Sequence, residues 1–227
     1  MNKVIFLYDY TGIAAKPWLE NGYECYIFDG QHKEGETIEG NLHKIGMWLE
    51  RDQKTLDKII EYVGDGVVFV GGWPECTDMA VSGAAHFKKK LEKDPDCQKR
   101  AASRAMLVED LANYYNSPWF AENPVSVLST LWRKPNYSFH PYEYSNYLPS
   151  DVVHPKYPEY IAPRDFYPKK TCLWTGNGFI MPIKDFDTKP EGYSSQHSKL
   201  GGKSLKTKNI RSATPRGFSM ALFLANK

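Results

Sequence analysis

Two short segments about 45 residues apart hold the side chains best suited to covalent chemistry. The first runs Gly71-Gly72-Trp73-Pro74-Glu75-Cys76-Thr77-Asp78, with Ser82-Gly83 behind it, and the second is Ala121-Glu122-Asn123-Pro124. Each follows a short apolar run, Val67–Val70 in one case and Trp119-Phe120 in the other. If those runs are neighbouring strands of one sheet, a thiol and a carboxylate emerge side by side at its edge. That pair suits chemistry on a nucleobase, the sulfur attacking the ring while the acid handles a ring nitrogen. A lone cysteine is most often a small buried hydrophobe. A Gly/Pro-rich loop after a strand instead exposes Cys76, which favours the nucleophile. Glu122 has an ordinary alternative in capping a helix or pairing with a lysine, and Glu75 is an obstacle. A carboxylate beside a thiol disfavours the thiolate.

The elements that must position these residues are legible in outline. Val4–Tyr8 reads as a buried strand, Asp9–Gly12 as a turn, Ala14–Glu20 as a short helix and Tyr23–Phe28 as a second strand. This opening is the first half of a doubly wound α/β sheet, in which ligands sit beyond the carboxyl ends of the strands. Gln31–Gly46 is polar and ambiguous. Asp52–Val63 has helical spacing, with Leu56, Ile59, Ile60 and Val63 on one face, and Gln98–Tyr115 reads as a long helix ending at Ser117-Pro118. Pro135–Pro168 is rich in Pro and Tyr, a structured loop region whose aromatic rings can pack. Leu173-Trp174 and Phe179–Pro182 suggest a strand pair, and Lys184–Ile210 a flexible loop. A last helix opens at Thr214-Pro215, with Thr as N-cap and Pro at the first helical position.

With 227 residues, 41% hydrophobic and 25% charged, the chain has the composition of an ordinary globular protein. No apolar run approaches the roughly 20 residues needed to cross a bilayer, and Met1–Phe6 enters a strand without a signal-peptide pattern. Cys25, Cys76, Cys97 and Cys172 are scattered without C-x-x-C spacing. That argues against a zinc site or a disulfide framework, and the expected location is a reducing cytoplasm. A net charge of +2 hides an asymmetry: Gly192–Lys227 has no acidic residue, yet carries Lys199, Lys203, Lys206, Lys208, Arg211, Arg216 and Lys227. A solvated tail explains this, and so does a phosphate-binding arm. His86 with Lys88, Lys89 and Lys90 forms a second basic patch in the same segment as Cys76.

In this order the segments resemble the C5-cytosine DNA methyltransferase family, in particular its small phage-encoded relatives, almost from end to end. Leu7-Tyr8-Asp9-Tyr10-Thr11-Gly12 is similar to the first cofactor loop, F-x-G-x-G, and Tyr26-Ile27-Phe28-Asp29 to the second strand with its ribose-binding acid. Pro74-Glu75-Cys76 resembles the Pro-Pro-Cys loop, Glu122-Asn123-Pro124 the Glu-Asn-Val segment, and Tyr167-Pro168-Lys169-Lys170-Thr171 the Gln-x-Arg-x-Arg strand. Arg211–Phe218 sits where the last motif precedes the final helix. Any one match is weak; six in order are specific. The chain departs from the pattern at Tyr10, which replaces a glycine, at Glu75, which replaces a proline, and at the lysine pair. About 40 residues separate Lys170 from Arg211, too few for the usual target-recognition domain.

The resemblance implies a Rossmann-like doubly wound sheet of the S-adenosylmethionine-dependent methyltransferase type. It implies a catalytic domain over 1–183, a flexible basic loop over 184–210 in place of a recognition domain, and a C-terminal helix over 211–227 packing back on the catalytic domain. The implied enzyme is a DNA (cytosine-5-)-methyltransferase in the cytoplasm, host cytoplasm if phage-encoded. Cys76 would add to cytosine C6, Glu122 would serve the ring N3, and Lys169 or Lys170 would polarise the base carbonyl or hold its phosphate. Tyr8, Tyr10, Thr11, Gly12, Asp29 and Pro74 would hold S-adenosylmethionine. Lys88, Lys199, Lys203, Lys206, Lys208, Arg211 and Arg216 would meet DNA. The oligomeric state stays open, a second copy or partner subunit being one source of the missing recognition contacts. Two other classes compete: a catalytically weak relative that binds S-adenosylmethionine or nucleic acid, and a same-fold enzyme with another nucleotide substrate. A dehydrogenase is disfavoured because G-x-G-x-x-G does not follow the first strand.

Overall fold

The computed structural model describes residues 1–194, 196, 199–201 and 204–227. The chain divides into two compact units, the first comprising Met1–Ser138 and Thr171–Phe179 and the second Phe139–Lys170 and Ile180–Lys227. This division differs from the expected one at 184 and 211, because Phe139–Lys170 joins the C-terminal stretch instead of the sheet. Among the described residues no helix is long and apolar enough to cross a membrane.

Unit 1 is built on a sheet. Its strands are β1 (Lys3–Leu7), β2 (Glu24–Phe28), β3 (Gly35–Glu39), β4 (Leu42–Gly46), β5 (Val67–Gly72), β6 (Trp119–Pro124), β7 (Tyr137–Phe139) and β8 (Thr171–Gly176). They lie in the order β3-β4-β2-β1-β5-β6-β8-β7. Strands β4, β2, β1, β5 and β6 are parallel neighbours, while β8 runs antiparallel to β6 and β3 antiparallel to β4. This is the Rossmann-like, doubly wound α/β fold expected from the sequence. The chain winds outward from β1 through β2 to β4, then returns to place β5 on the other side of β1. The crevice beyond the carboxyl ends of β1 and β5 is thus the topological switch point where ligands bind in such sheets.

The parallel strands are near-continuous apolar runs because helices cover both faces. Val4, Ile5, Phe6 and Leu7 of β1 are all fully buried. Helices α1 (Lys16–Glu20), α2 (Gln53–Val63), α3 (Phe87–Lys93), α4 (Cys97–Tyr115) and α5 (Leu128–Leu131) complete the unit. The Asp52 side chain accepts the Thr55 amide at 2.7 Å, which caps α2, and α4 ends on Asn116 in the left-handed region at φ 50°. Gly71 and Gly72 on β5 are small for a packing reason. A Cβ at 71 would lie 2.6 Å from the Phe120 ring, and one at 72 would lie 2.5 Å from Val108 of α4.

The ambiguous Gln31–Gly46 stretch contains the β3–β4 hairpin, whose first strand is almost wholly exposed. It escapes a pattern reading because that strand has no buried face. Phe179–Pro182 is not a strand; β8 finds its partners in β6 and β7 instead.

Unit 2 is loop-rich and held by aromatic packing, as the Tyr- and Pro-rich composition suggested. Helix α6 (Leu205–Ser212) lies within the stretch expected to be a loop, capped by Ser204 accepting the Thr207 amide at 3.1 Å. Helix α7 (Arg216–Asn226) begins one residue later than expected, so Pro215 is its N-cap residue and Thr214 makes no cap. Phe218 of α7 stacks on Phe139 with ring centroids 4.1 Å apart and meets Tyr144 edge-on at 5.3 Å. A second cluster gathers Ile161, Tyr167, Leu200, Ile210 and Ala213.

Candidate active site

The switch point is lined by the loop that leaves β1. Tyr8 there adopts φ 60°, a conformation that costs a bulky residue on the order of 1–3 kcal/mol. Its hydroxyl donates to the Arg104 carbonyl of α4 at 2.9 Å, which anchors the strained turn, and burial pushes the phenol well above its usual range. Asp9 follows at only 3% exposure. Its Oδ1 accepts from the Thr11 amide (2.9 Å), the Thr11 hydroxyl (3.0 Å) and the Gly12 amide (2.9 Å). Its Oδ2 is buried without a hydrogen bond among the described residues. His32 Nε2 lies 3.0 Å from the Asp9 carbonyl, and because a carbonyl only accepts, that nitrogen carries the proton. The exposed Tyr10 ring tilts over His32 at 5.6 Å.

Asp29 follows β2 directly and accepts the Gln31 amide at 2.7 Å. Burial raises its proton affinity, and the Glu75 carboxylate raises it further. Asp9 is likewise raised, first by burial, against the lowering effect of its Gly12 and Thr11 bonds, with the Asp29 charge adding to the rise. Three carboxylates therefore bear on one another at the switch point, and the local field favours a cation. Arg104 offsets part of it while bound to Glu50, with Nε 3.1 Å from both carboxylate oxygens.

The thiol loop leaves the neighbouring strand. Parallel pairing aligns Gly71 with Phe120 and Gly72 with Ala121, so Trp73 and Glu122 are the next residues on the two strands. Asn123, fully buried, donates through Nδ2 to the Pro74 carbonyl at 3.0 Å and ties the two segments together. The Cys76 carbonyl accepts the Met79 and Ala80 amides at 3.0 and 2.8 Å, closing a turn. The chain then returns beside β6's continuation, the Val81 amide bonding the Val125 carbonyl at 2.9 Å and the Val127 amide the Met79 carbonyl at 3.0 Å. Lys90 of α3 straps the loop from outside through Asp78 Oδ1 at 2.8 Å. Thr77 donates to Glu75 Oε1 at 2.6 Å. Cys76 is half-buried in this fixed turn, whereas Cys25, Cys97 and Cys172 are buried. Burial, with Glu24 and Asp9 adding, pushes the Cys25 thiol far up, which leaves it inert. Glu122 is half-buried on β6, opposite Leu173 of β8.

The structure thus brings Cys76, Glu122, Tyr8, Tyr10, Thr11, Gly12, Asp29 and Pro74 to one edge of the unit 1 sheet. Lys88 is exposed on α3. The remaining expected cations fall in unit 2. Lys169 donates to the Arg211 carbonyl at 2.9 Å, and Lys170 is exposed. Lys199 donates to the Glu159 carbonyl at 2.8 Å, Lys206 lies 5.3 Å over the Tyr160 ring, and Arg211 donates to the Leu200 carbonyl at 2.8 Å. Lys208 is exposed on α6, and Lys203 lies outside the described residues. Arg216, expected at DNA, is instead locked on the buried Asp165, with Nη2 to Oδ1 at 2.9 Å.

Three residues at the unit 1 edge escaped the sequence reading. Arg104 and Glu50 are ordinary charges in sequence and acquire meaning only as a pair. Trp48 is 81% exposed, with its indole so close over Gly30 that a Cβ there would meet it at 2.8 Å. It presents a flat apolar face beside Asp29, and no motif announces it. Among the described residues no group of His, Cys, Asp and Glu side chains could hold a metal ion. A cofactor with a cationic centre and ribose hydroxyls fits these acceptors: the carboxylates offset the charge, Asp29 can accept from a ribose, and one Asp9 oxygen has no hydrogen bond among the described residues.

The site and the sheet together define a doubly wound α/β protein with a cysteine and a glutamate at the carboxyl edge of its sheet. No protein-family model matches the sequence, and no curated protein matches it. Among solved structures, the chain is similar to a prophage-encoded E. coli protein described as a DNA modification methyltransferase, at 10% identity and a TM-score of 0.43. The match covers 78% of this chain and 46% of that one, so the chain spans less than half the length of that neighbour.

Proposed function

We propose that the chain is an S-adenosylmethionine-dependent methyltransferase acting at C5 of cytosine in DNA. The observation that carries this reading is the position of Cys76 just past β5 and of Glu122 on the adjacent parallel strand β6, beside the acid-lined switch point. S-adenosylmethionine supplies an electrophilic methyl group when bound. Asp29 is placed to accept from its ribose, and Asp9, Asp29 and Glu75 offset its positive charge.

The chain's own residues do the rest. The Cys76 sulfur adds to C6 of the cytosine ring, which makes C5 nucleophilic. Glu122 holds or supplies a proton at N3, so that negative charge does not build up on the ring. Once C5 has been alkylated, its proton passes to solvent water, the C–H electron pair restores the C5–C6 double bond, and the C6–sulfur pair leaves with the Cys76 sulfur. The strap through Asn123 keeps the thiol loop in register with Glu122 throughout. In duplex DNA the target base must first leave the stack.

A second reading, cofactor or nucleic-acid binding without methyl transfer, draws on Tyr10 over the cofactor loop and Glu75 beside the thiol. One assay separates the two: labelled methyl transfer from S-adenosylmethionine to cytosine-containing DNA, wild type beside Cys76→Ala. Label with wild type alone, lost at least about 1000-fold in the variant, supports the reading. No label from either protein, with cofactor binding intact, overturns it in favour of binding alone or another acceptor.

A further inference from the structure

The acid-free stretch from Gly192 onward reads as a phosphate-binding arm, yet several of its cations are turned inward. Lys199 and Arg211 cap backbone carbonyls, Lys206 covers Tyr160, and Arg216 is held by Asp165. Lys170 and Lys189 of unit 2 are exposed and have no hydrogen bond, ion pair or aromatic contact among the described residues. They belong to segments that converge on one place. The His140–Glu143 segment is flanked on one side by Tyr167, whose carbonyl accepts the Tyr142 amide at 3.4 Å. On its other side the Asp185 amide donates to the Glu143 carbonyl at 2.9 Å. Lys170 follows three residues beyond Tyr167, and Lys184 directly precedes Asp185. Phe186 then packs edge-on against Tyr142, with centroids 5.4 Å apart, and leads the chain on to Lys189.

Charge at this junction leaves a small cationic excess, Lys170, Lys184, Lys189 and Arg164 standing against Glu143, Asp185 and Asp187. Glu143 is already engaged, accepting the His140 amide at 2.8 Å and Lys184 Nζ at 3.0 Å. Asp185 and Asp187 both accept from Asn146 Nδ2, at 2.9 and 3.0 Å, and Asp187 also faces Arg164 at 4.0 Å. Lys170, Lys184 and Lys189, opposed by Glu143, act on the His140 ring, whose buried Nδ1 has no hydrogen bond among the described residues. Burial first, and then Lys189, Lys184 and Lys170 against the opposing Glu143, hold this imidazole below its ordinary range. Phe186, at 38% exposure, adds an aromatic face beside the cations.

We propose that Lys170, Lys184 and Lys189, gathered around His140, form the patch by which unit 2 grips the phosphate backbone of a nucleic acid. The proposal rests on the reading of DNA as substrate, and it moves Lys170 from base chemistry to backbone binding. Phosphate contacts of this kind release counterions, so each contributes about 0.9 to the slope of log affinity against log salt on duplex DNA.

The experiment is fluorescence-anisotropy titration of a labelled cytosine-containing duplex with the full chain between about 50 and 200 mM salt. The slope for Lys170→Ala/Lys189→Ala is expected to be shallower than wild type by about 1.8, with the melting temperature kept. Lys54→Ala/Lys58→Ala removes the same charge from the exposed face of α2 and is expected to leave the slope unchanged. An unchanged slope in the first variant, an equal loss in both, or a wild type that does not bind overturns the patch. Methyl transfer is read separately. A patch-dependent slope without any transfer sinks the enzymatic reading and leaves the patch standing, whereas transfer with an unchanged slope overturns the patch alone.

Discussion

The carboxyl edge of the unit 1 sheet and the loop-rich unit 2 use charge in opposite ways. At the sheet edge burial raises the proton affinity of Asp9 and Asp29, the Asp29 charge adding to the rise at Asp9 and the Glu75 charge to that at Asp29, while His32 opposes the rise at Asp29 and Arg104 faces Glu75. In unit 2 Asp165, at 1% exposure, is fully occupied: Arg216 binds both its oxygens, and Arg216 Nη1 goes on to the Val153 carbonyl at 2.7 Å. An unbalanced cluster is stored field, available to a ligand of opposite sign. A saturated pair is structure, and removing one partner leaves a buried charge without compensation. Position in the fold, not residue type, separates the two.

That contrast is sharpened by substitutions that strike one region at a time. Glu122→Gln is expected to lower methyl transfer by roughly 100- to 10,000-fold, the range for a lost acid–base group, while the melting temperature holds. A drop in stability with activity per folded molecule retained would place Glu122 among the structural charges. Arg216→Ala is expected to do the reverse, costing about 3–5 kcal/mol in urea unfolding by stranding Asp165. If it instead left stability intact and flattened the salt dependence of DNA binding, Arg216 would be a phosphate contact and the contrast would fail.

His154 gives a smaller effect within unit 2. It is 1% exposed, and its Nδ1 accepts the Lys156 and Tyr157 amides at 3.2 and 3.0 Å. Burial, opposed by Asp165 and aided by Arg216 and Lys156, lowers it to about 4. The unfolded chain therefore binds the proton more readily. The stabilisation is complete above the ordinary imidazole value near 6.5 and is lost as pH falls toward about 4. Roughly 2–3 kcal/mol should disappear across that window. His154→Asn, which keeps an acceptor, is expected to flatten the urea-midpoint profile between those pH values. An unchanged profile would assign the acid sensitivity to other groups.

How much of this was legible in the sequence depended on whether a residue's partner was local. Strands β1, β2 and β5 and helices α2 and α4 announce themselves by apolar runs and helical spacing, and the order of Cys76 and Glu122 along the chain implied their adjacency. The β3–β4 hairpin did not, because an exposed strand has no alternating pattern to read. Helix α6 was hidden by its polar composition and depends on Ser204 at its start and on Thr207 and Ile210 facing inward. The fate of the C-terminal cations was out of reach for a different reason. Whether Arg216 meets a phosphate or Asp165 is decided by a carboxylate 51 residues away in sequence.

The central claim is that the Cys76 sulfur bonds to C6 of a cytosine, and trapping that adduct tests it most directly. An oligonucleotide carrying 5-fluorocytosine has no C5 proton to lose once C5 has been alkylated, so the C6–sulfur bond should persist. Intact-mass measurement after incubation with S-adenosylmethionine is predicted to show protein plus oligonucleotide for wild type, with the crosslinked peptide containing Cys76, and none for Cys76→Ala. A wild-type protein that transfers methyl to ordinary DNA but forms no adduct with the fluorinated strand would contradict the account.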